Sequence, residues 1–154
     1  MRVILPGSYD PVTLGHLEII KRAAALYDEV YAVVFINPDK DCVFSLEDRV
    51  KMLILATEEL DNVIVSYSTG FVIDYMRDHS IDKIIKGYRN QTDLEYEERQ
   101  AEYNLKFGGY KTELWPADEN MRNISSTQAR EMISNGRSLE KILPEKVISF
   151  INRH

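Results

Sequence analysis

The chain has 154 residues, 44% of them apolar, and a formal net charge of −6. That length carries one proper core but not two ordinary domains, so a single domain over residues 1–154 is expected. The 19 basic residues are scattered rather than gathered into a stripe, which argues against a nucleic-acid footprint; apolar runs such as Val30 to Ile36 fall far short of the about 20 residues a membrane span requires.

Met1-Arg2 leads at once into a strand-like run, Arg2 to Pro6, with no apolar h-region and no small-residue cleavage site, so the expected location is the cytoplasm. Gly15 to Tyr27 has the apolar spacing of an amphipathic helix, and Val30 to Ile36 is a continuous β-branched run, as a central parallel strand covered on both faces requires. The single Cys42 has no partner for a disulfide and no zinc-ligand spacing around it, and reads as a loop thiol without chemistry. Ser45 to Asp48 has capping-box spacing and opens a helix to about Leu60, followed by a strand at Val63 to Ser66. Gly70 to His79 is a shorter helix and Asp82 to Lys86 a fourth strand. Thr92 with Glu95 is expected to cap a long charged helix to about Phe107, and Thr112 to Trp115 is a fifth strand. Ser125 to Asn135 is a further helix with Gly136 as its C′ glycine, and Pro144 sits in the first turn of a last one.

Strands alternating with helices along the whole chain predict an α/β fold with a doubly wound, parallel, five-stranded sheet. In such a sheet ligands bind beyond the carboxyl ends of the strands at the switch point, so the loops after the strands are the places to look for chemistry. Pro6 to His16 joins the first strand to the first helix and has the makings of a phosphate cradle. Gly7 and Gly15 allow close approach, Ser8 lies in the turn, and the helix start presents main-chain N–H groups together with the His16 ring. Asn37 to Asp41 is a polar loop carrying Lys40, Lys86 to Arg89 follows the fourth strand, and Ser125-Ser126-Thr127 opens a helix. That serine cluster suits the phosphates of a nucleotide; equally, Ser125 with Gln128 makes a capping box that needs no ligand.

The stretch Gly7-Ser8-Tyr9-Asp10-Pro11-Val12-Thr13-Leu14-Gly15-His16 resembles the signature of the nucleotidyltransferase superfamily, whose usual form ends in His-x-Gly-His. Thr13 in place of the first histidine is similar to the phosphopantetheine adenylyltransferase branch. The likeness continues through Phe44 to Arg49, Lys86 to Arg89, Asp93 to Glu97 and Ile124 to Thr127, in that order and over essentially the whole chain, which is far more specific than any one motif.

The resemblance implies a Rossmann-like fold, adenylyl transfer from ATP to 4′-phosphopantetheine giving dephospho-coenzyme A and pyrophosphate, a homohexamer, and no dedicated metal ligands. It implies that His16 and Lys40 stabilise the transition state. ATP is expected to meet Ser8, Tyr9, His16, Gly87, Tyr88, Arg89, Glu97, Met121, Arg122, Asn123, Ile124, Ser125, Ser126 and Thr127, and the acceptor to meet Ser8, Lys40, Val72 and Lys86. Magnesium, Mg2+, is expected to bridge phosphate oxygens while keeping several waters, since the sequence offers no carboxylate cage. An acceptor phosphate is already an anionic nucleophile, so no catalytic triad is needed.

Three positions depart from the family pattern: Leu5 where an aromatic commonly precedes Pro-Gly, Lys86 for the usual arginine, and Met121-Arg122 where an aromatic is typical. They read as tuning of the acceptor clamp and the adenine platform. Thr13 disfavours a superfamily member acting on another acceptor such as nicotinamide mononucleotide. His16, Lys40, Arg89 and the serines together disfavour a non-catalytic nucleotide-binding module.

Overall fold

A computed structural model describes residues 1–154. Its elements are β1 (Arg2–Gly7), α1 (Leu14–Leu26), β2 (Glu29–Phe35), α2 (Leu46–Thr57), β3 (Val63–Ser68), α3 (Val72–His79), β4 (Lys83–Tyr88), α4 (Gln91–Gly108), β5 (Lys111–Pro116), a 3-10 turn (Glu119–Met121), α5 (Ser126–Ser134) and α6 (Glu145–Arg153). The five strands form one parallel sheet in the order β3-β2-β1-β4-β5. This is the doubly wound α/β architecture the sequence predicts.

Alternation along the strands divides the core. Val3, Leu5, Val30, Ala32, Val34 and Ile85 face a large cluster that takes in α1, α2, α5 and α6, including fully buried Ile20, Met52, Leu53 and Val147. Ile4, Tyr31, Val33 and Ile84 face the other side, where α3 supplies Tyr75 and Met76. Both faces of the central strands are thereby kept from water, which explains their continuous apolar reading. No helix is long and apolar enough to cross a membrane.

Chain direction reverses its walk across the sheet at β1. From β1 the chain steps outward to β2 and β3, then returns to lay β4 on the other side of β1. The β1–β2 register runs the full strand, from Arg2 opposite Glu29 to Gly7 opposite Val34, whereas β1 and β4 are in register only at Val3 with Lys83 and Ile4 with Ile84. Beyond Ile4 the two central strands part, and a crevice opens between their carboxyl ends.

The helix ends correct several expectations. Thr13 rather than Gly15 marks the start of α1. Helix α2 ends at Thr57, short of Leu60, because Leu60 N–H bonds the Thr57 carbonyl in a turn leading into β3. Helix α4 is capped by Asn90, whose Oδ1 accepts the Asp93 N–H at 2.9 Å, and not by Thr92, which already lies inside the first turn. Helix α3 starts at Val72 with no side-chain cap. Pro144 precedes α6 as its cap residue and accepts from Val147 and Ile148 through its carbonyl. Gly136 has φ +67 and ends α5 as expected.

Gly109 does the same for α4 at φ +75, with open space where a Cβ would stand. The cost of a side chain there is therefore purely conformational. Gly109→Ala is expected to lower stability by about 1–2 kcal/mol, seen as a lower urea midpoint with unchanged slope, while catalytic turnover stays at the parent level.

Candidate active site

The crevice between β1 and β4 widens into a cavity of about 320 Å³, closed on its third side by the start of α5. Its floor is the β1–α1 turn, where Tyr9 takes the left-handed conformation at φ 47, a costly one for an aromatic residue. The ring is held by what surrounds it. Its hydroxyl donates to the Leu5 carbonyl at 2.8 Å, its edge meets the His16 ring at 5.0 Å, and a Cβ on Gly7 would come within 3.2 Å of it. Burial pushes the phenol above its ordinary range, so Tyr9 remains a neutral strut.

The same turn shows what Thr13 does. Its Oγ1 accepts the His16 main-chain N–H at 3.3 Å, and in return His16 Nδ1 accepts the Thr13 N–H at 3.0 Å, closing a capping box at the start of α1. Because Nδ1 is an acceptor in that box, the neutral ring must carry its proton on Nε2. Burial, together with the positive charges of Lys86 and Arg89, lowers the imidazole from 6.5 to about 4. His16 thus stands in the cavity wall as an uncharged N–H donor.

Four cations line the cavity: Lys40, Lys86, Arg89 and Arg130. Lys86 Nζ lies 3.1 Å from Glu97 Oε2 and 3.3 Å from the Pro6 carbonyl. Arg89 Nε lies 3.0 Å from Asp93 Oδ2. Lys40 reaches Ser8 Oγ at 3.5 Å and has no carboxylate partner. The loop carrying Lys40 is tied down by Asp10, which is only 2% exposed and accepts the Val43 and Phe44 N–H groups at 2.9 Å each. Arg49, also buried, bonds the carbonyls of Phe44 and Ser8 and links the two loops again.

At the start of α5, Ser125 Oγ accepts the Gln128 N–H at 3.1 Å, so the capping role is real. Ser126 donates its hydroxyl to the Pro11 carbonyl at 2.8 Å, and Thr127 Oγ1 accepts from Arg130. With these hydroxyls so engaged, the groups left for an anion are chiefly the first-turn N–H groups, which a helix cannot satisfy internally.

A cytidylyltransferase-like family model matches residues 4–132. A phosphopantetheine adenylyltransferase of Clostridium novyi (strain NT) is 40% identical over 153 residues, covering 98% of this chain and 95% of the relative. A second, of Corynebacterium efficiens, is 37% identical over 154 residues, covering 99% and 97%. The chain belongs to the phosphopantetheine adenylyltransferase family.

Of the residues the family resemblance singles out, Ser8, Tyr9, His16, Lys40, Lys86, Gly87, Tyr88, Arg89, Met121, Ile124, Ser125, Ser126 and Thr127 all meet at this one cavity. Arg122 and Asn123 are exposed and stand outside its lining, as does Val72, which packs beside the smaller apolar cluster. Glu97 is also outside the lining; it is 7% exposed and its carboxylate faces Lys86. Its place in this structure is behind the lysine, which it holds and partly neutralises. Sequence reasoning missed Asp10, Arg49 and Arg130. Asp10 lies inside the first motif, but its two amide partners are more than 30 residues away, and nothing local announces them.

The shifted imidazole has a consequence for stability. Between pH 6.5 and about 4 the unfolded chain binds a proton at His16 that the folded chain refuses, so this group's contribution rises with pH and is lost as pH falls through that window. A nitrogen-detected NMR titration is expected to find the His16 ring neutral, with its proton on Nε2, at pH 6. A ring already charged there would contradict the capping-box tautomer.

Proposed function

We propose that the chain transfers the adenylyl group of ATP to 4′-phosphopantetheine, giving dephospho-coenzyme A and pyrophosphate. The observation that carries this reading is the His16 ring, fixed through Nδ1 by the Thr13 N–H, in the wall of a cavity that also offers a helix N-terminus and four cations. Such a site suits the meeting of two polyanions.

An oxygen of the acceptor's phosphate forms a bond to the α-phosphorus, and the bond from that phosphorus to the bridging oxygen of pyrophosphate breaks. No proton has to be removed from the nucleophile, so no strong base is required. The work left to the protein is alignment and charge stabilisation. His16 Nε2–H donates to a non-bridging α-phosphate oxygen as charge builds there, and Lys40 adds a mobile positive charge without a competing carboxylate. A neutral donor suits this task because it gains strength as the oxygen becomes more negative and binds the ground state less tightly. Arg89 and the first turn of α5 hold the triphosphate, and Ser8 with Lys86 holds the acceptor. Lys86 can turn from Glu97 to a phosphate without creating charge, but its removal would strand a buried carboxylate.

Asp10 is the only acidic residue in the lining, and both its oxygens accept main-chain N–H groups. The chain therefore does not fit a protein-held ion. Mg2+ arriving with ATP would be held by the nucleotide rather than by this chain, and would supply further neutralisation of phosphate charge. The reading also includes assembly as a homohexamer in the cytoplasm. Exposed Tyr103 and Phe107, one turn apart on α4 with ring centroids 4.6 Å from each other, support that part of the reading as an apolar patch.

With Mg-ATP, pyrophosphate release is expected to be at least tenfold faster with 4′-phosphopantetheine than with nicotinamide mononucleotide, a difference of about 1.4 kcal/mol in barrier. Equal or reversed rates would refute the acceptor. His16→Ala is expected to lower kcat by roughly 10² while ATP affinity changes far less, which single-turnover kinetics and ATP titration together decide.

A further inference from the structure

The loop that carries Lys40 is secured at one end by the sheet and at the other by two buried charged groups. Ile36 N–H bonds the Ser68 carbonyl at 3.0 Å, the last tie to β3. A turn follows, in which Asn37 Oδ1 accepts the Asp39 N–H and the Asn37 carbonyl accepts the Lys40 N–H, each at 3.0 Å. From Asn37 to Asp41 the chain is exposed, and the Lys40 ammonium has a single hydrogen-bonding contact, Ser8 Oγ at 3.5 Å, which is too long to hold it. The firm ties lie beyond the lysine. Asp10, 2% exposed, accepts the Val43 N–H on Oδ2 and the Phe44 N–H on Oδ1, both at 2.9 Å. Arg49, also buried, donates from Nε to the Phe44 carbonyl at 3.1 Å and from Nη1 to the Ser8 carbonyl at 3.0 Å. Phe44 is thus gripped at both its N–H and its carbonyl, and the guanidinium joins it to the residue that Lys40 reaches.

We propose that Asp10 is a positioning residue for the acceptor side of the reaction: with Arg49, its carboxylate clamps the Lys40 loop to the β1–α1 turn and thereby sets where the Lys40 ammonium stands. This rests on the adenylyl-transfer function proposed above. Two observations point to a clamp and not to a counter-charge for the cavity's cations. Both carboxylate oxygens face main-chain N–H groups, and a buried carboxylate so bonded is satisfied without a cation; Arg130, 3.8 Å from Oδ2, donates to the Asp10 carbonyl instead. The two amides also belong to adjacent residues, which the two acceptor oxygens of one carboxylate can serve together. An amide side chain cannot, since its NH2 would face an N–H. With the loop held at both ends, fewer conformations compete with the one that puts Lys40 beside Ser8, and the lysine is aligned before a phosphate arrives.

The test uses the full-length protein, with the ATP Kd measured calorimetrically without acceptor. Asp10→Asn is expected to lower kcat about tenfold or more and to raise the KM for 4′-phosphopantetheine about fivefold or more, while the ATP Kd stays within about threefold of the parent. A mere counter-charge would do the opposite, since removing a negative group from among four cations strengthens anion binding; an acceptor KM unchanged or lowered therefore overturns the proposal. Lys40→Ala supplies the second arm. If Asp10 works through Lys40, Asp10→Asn costs less than about twofold more once the lysine is gone, whereas losses that multiply in the double variant mark a general structural role and overturn the assignment. Hydrogen exchange reads the clamp without any substrate: the Val43 and Phe44 amides are expected to exchange about tenfold faster or more in Asp10→Asn with the β2 amides unchanged, and equal protection in the two proteins overturns it. Should Asp10→Asn fail to fold, Arg49→Lys, which loses the fork, carries the same measurements. Losses in kcat and acceptor KM that vanish in the Lys40→Ala background support the proposal, and parent-level values overturn it. If the parent releases no pyrophosphate with this acceptor, the functional reading fails, while amide exchange still decides whether Asp10 holds the loop.

Discussion

The shortness of the β1–β4 ladder governs the rest of the molecule. Two register pairs, Val3 with Lys83 and Ile4 with Ile84, hold the centre of the sheet together. Had the pairing continued, Leu5 to Gly7 and Ile85 to Gly87 would have filled one another's hydrogen bonds and there would be no crevice. Because it stops, the carboxyl ends of the two strands diverge, and the main chain beyond them has to be satisfied by side chains from elsewhere. Lys86 Nζ on the Pro6 carbonyl, Tyr9 hydroxyl on the Leu5 carbonyl and Arg49 on the Ser8 carbonyl are those substitutes. The site is built from the repair of an interrupted sheet.

Charge is managed with similar economy. The chain as a whole carries −6, yet its cavity is lined by four cations and one committed carboxylate. Gathering positive groups at a partly buried place is unfavourable by itself, and the fold moderates it by placing Glu97 behind Lys86 and Asp93 beside Arg89. These acids also keep the cations pointed. The positive field that remains helps hold His16 neutral, so the ring serves as a donor of fixed direction and not as another charge. Capping supplies the direction: Thr13 and His16 complete one another's bonds at the start of α1, which makes a helix-stabilising motif and a tautomer selector the same object.

Much of this was legible before any coordinates. Period and punctuation placed five strands and six helices, because apolar β-branched runs and capped amphipathic stretches are local properties. The turn at Gly7 to His16 could be read as a phosphate cradle, since glycines, a helix start and a histidine within ten residues act through the backbone nearby. Less secure were the exact helix ends. Thr92 with Glu95 has the right spacing for a cap, but Asn90 is two residues earlier and already offers its Oδ1; spacing alone does not rank competing caps. Glu97, which the resemblance assigns to ATP, is buried in this structure and pairs with Lys86, a long-range partner that no local pattern announces.

By itself, the amino-acid sequence determined the fold class and the loops that could bind an anion, which depend on residues close together in the chain, while the kind of chemistry followed from the resemblance of several separated motifs, in order, to a known family. Only the tertiary structure decided which strands are neighbours, since five comparably apolar strands look alike along the sequence and their order is settled by crossover packing. With that order came every contact that crosses it. Arg130 reaches Asp10 over 120 residues, Ser126 reaches Pro11 over 115, and Lys86 reaches Pro6 over 80. No local pattern encodes such pairs, because their energy is realised only when the crevice between β1 and β4 has formed and water has been largely displaced from it.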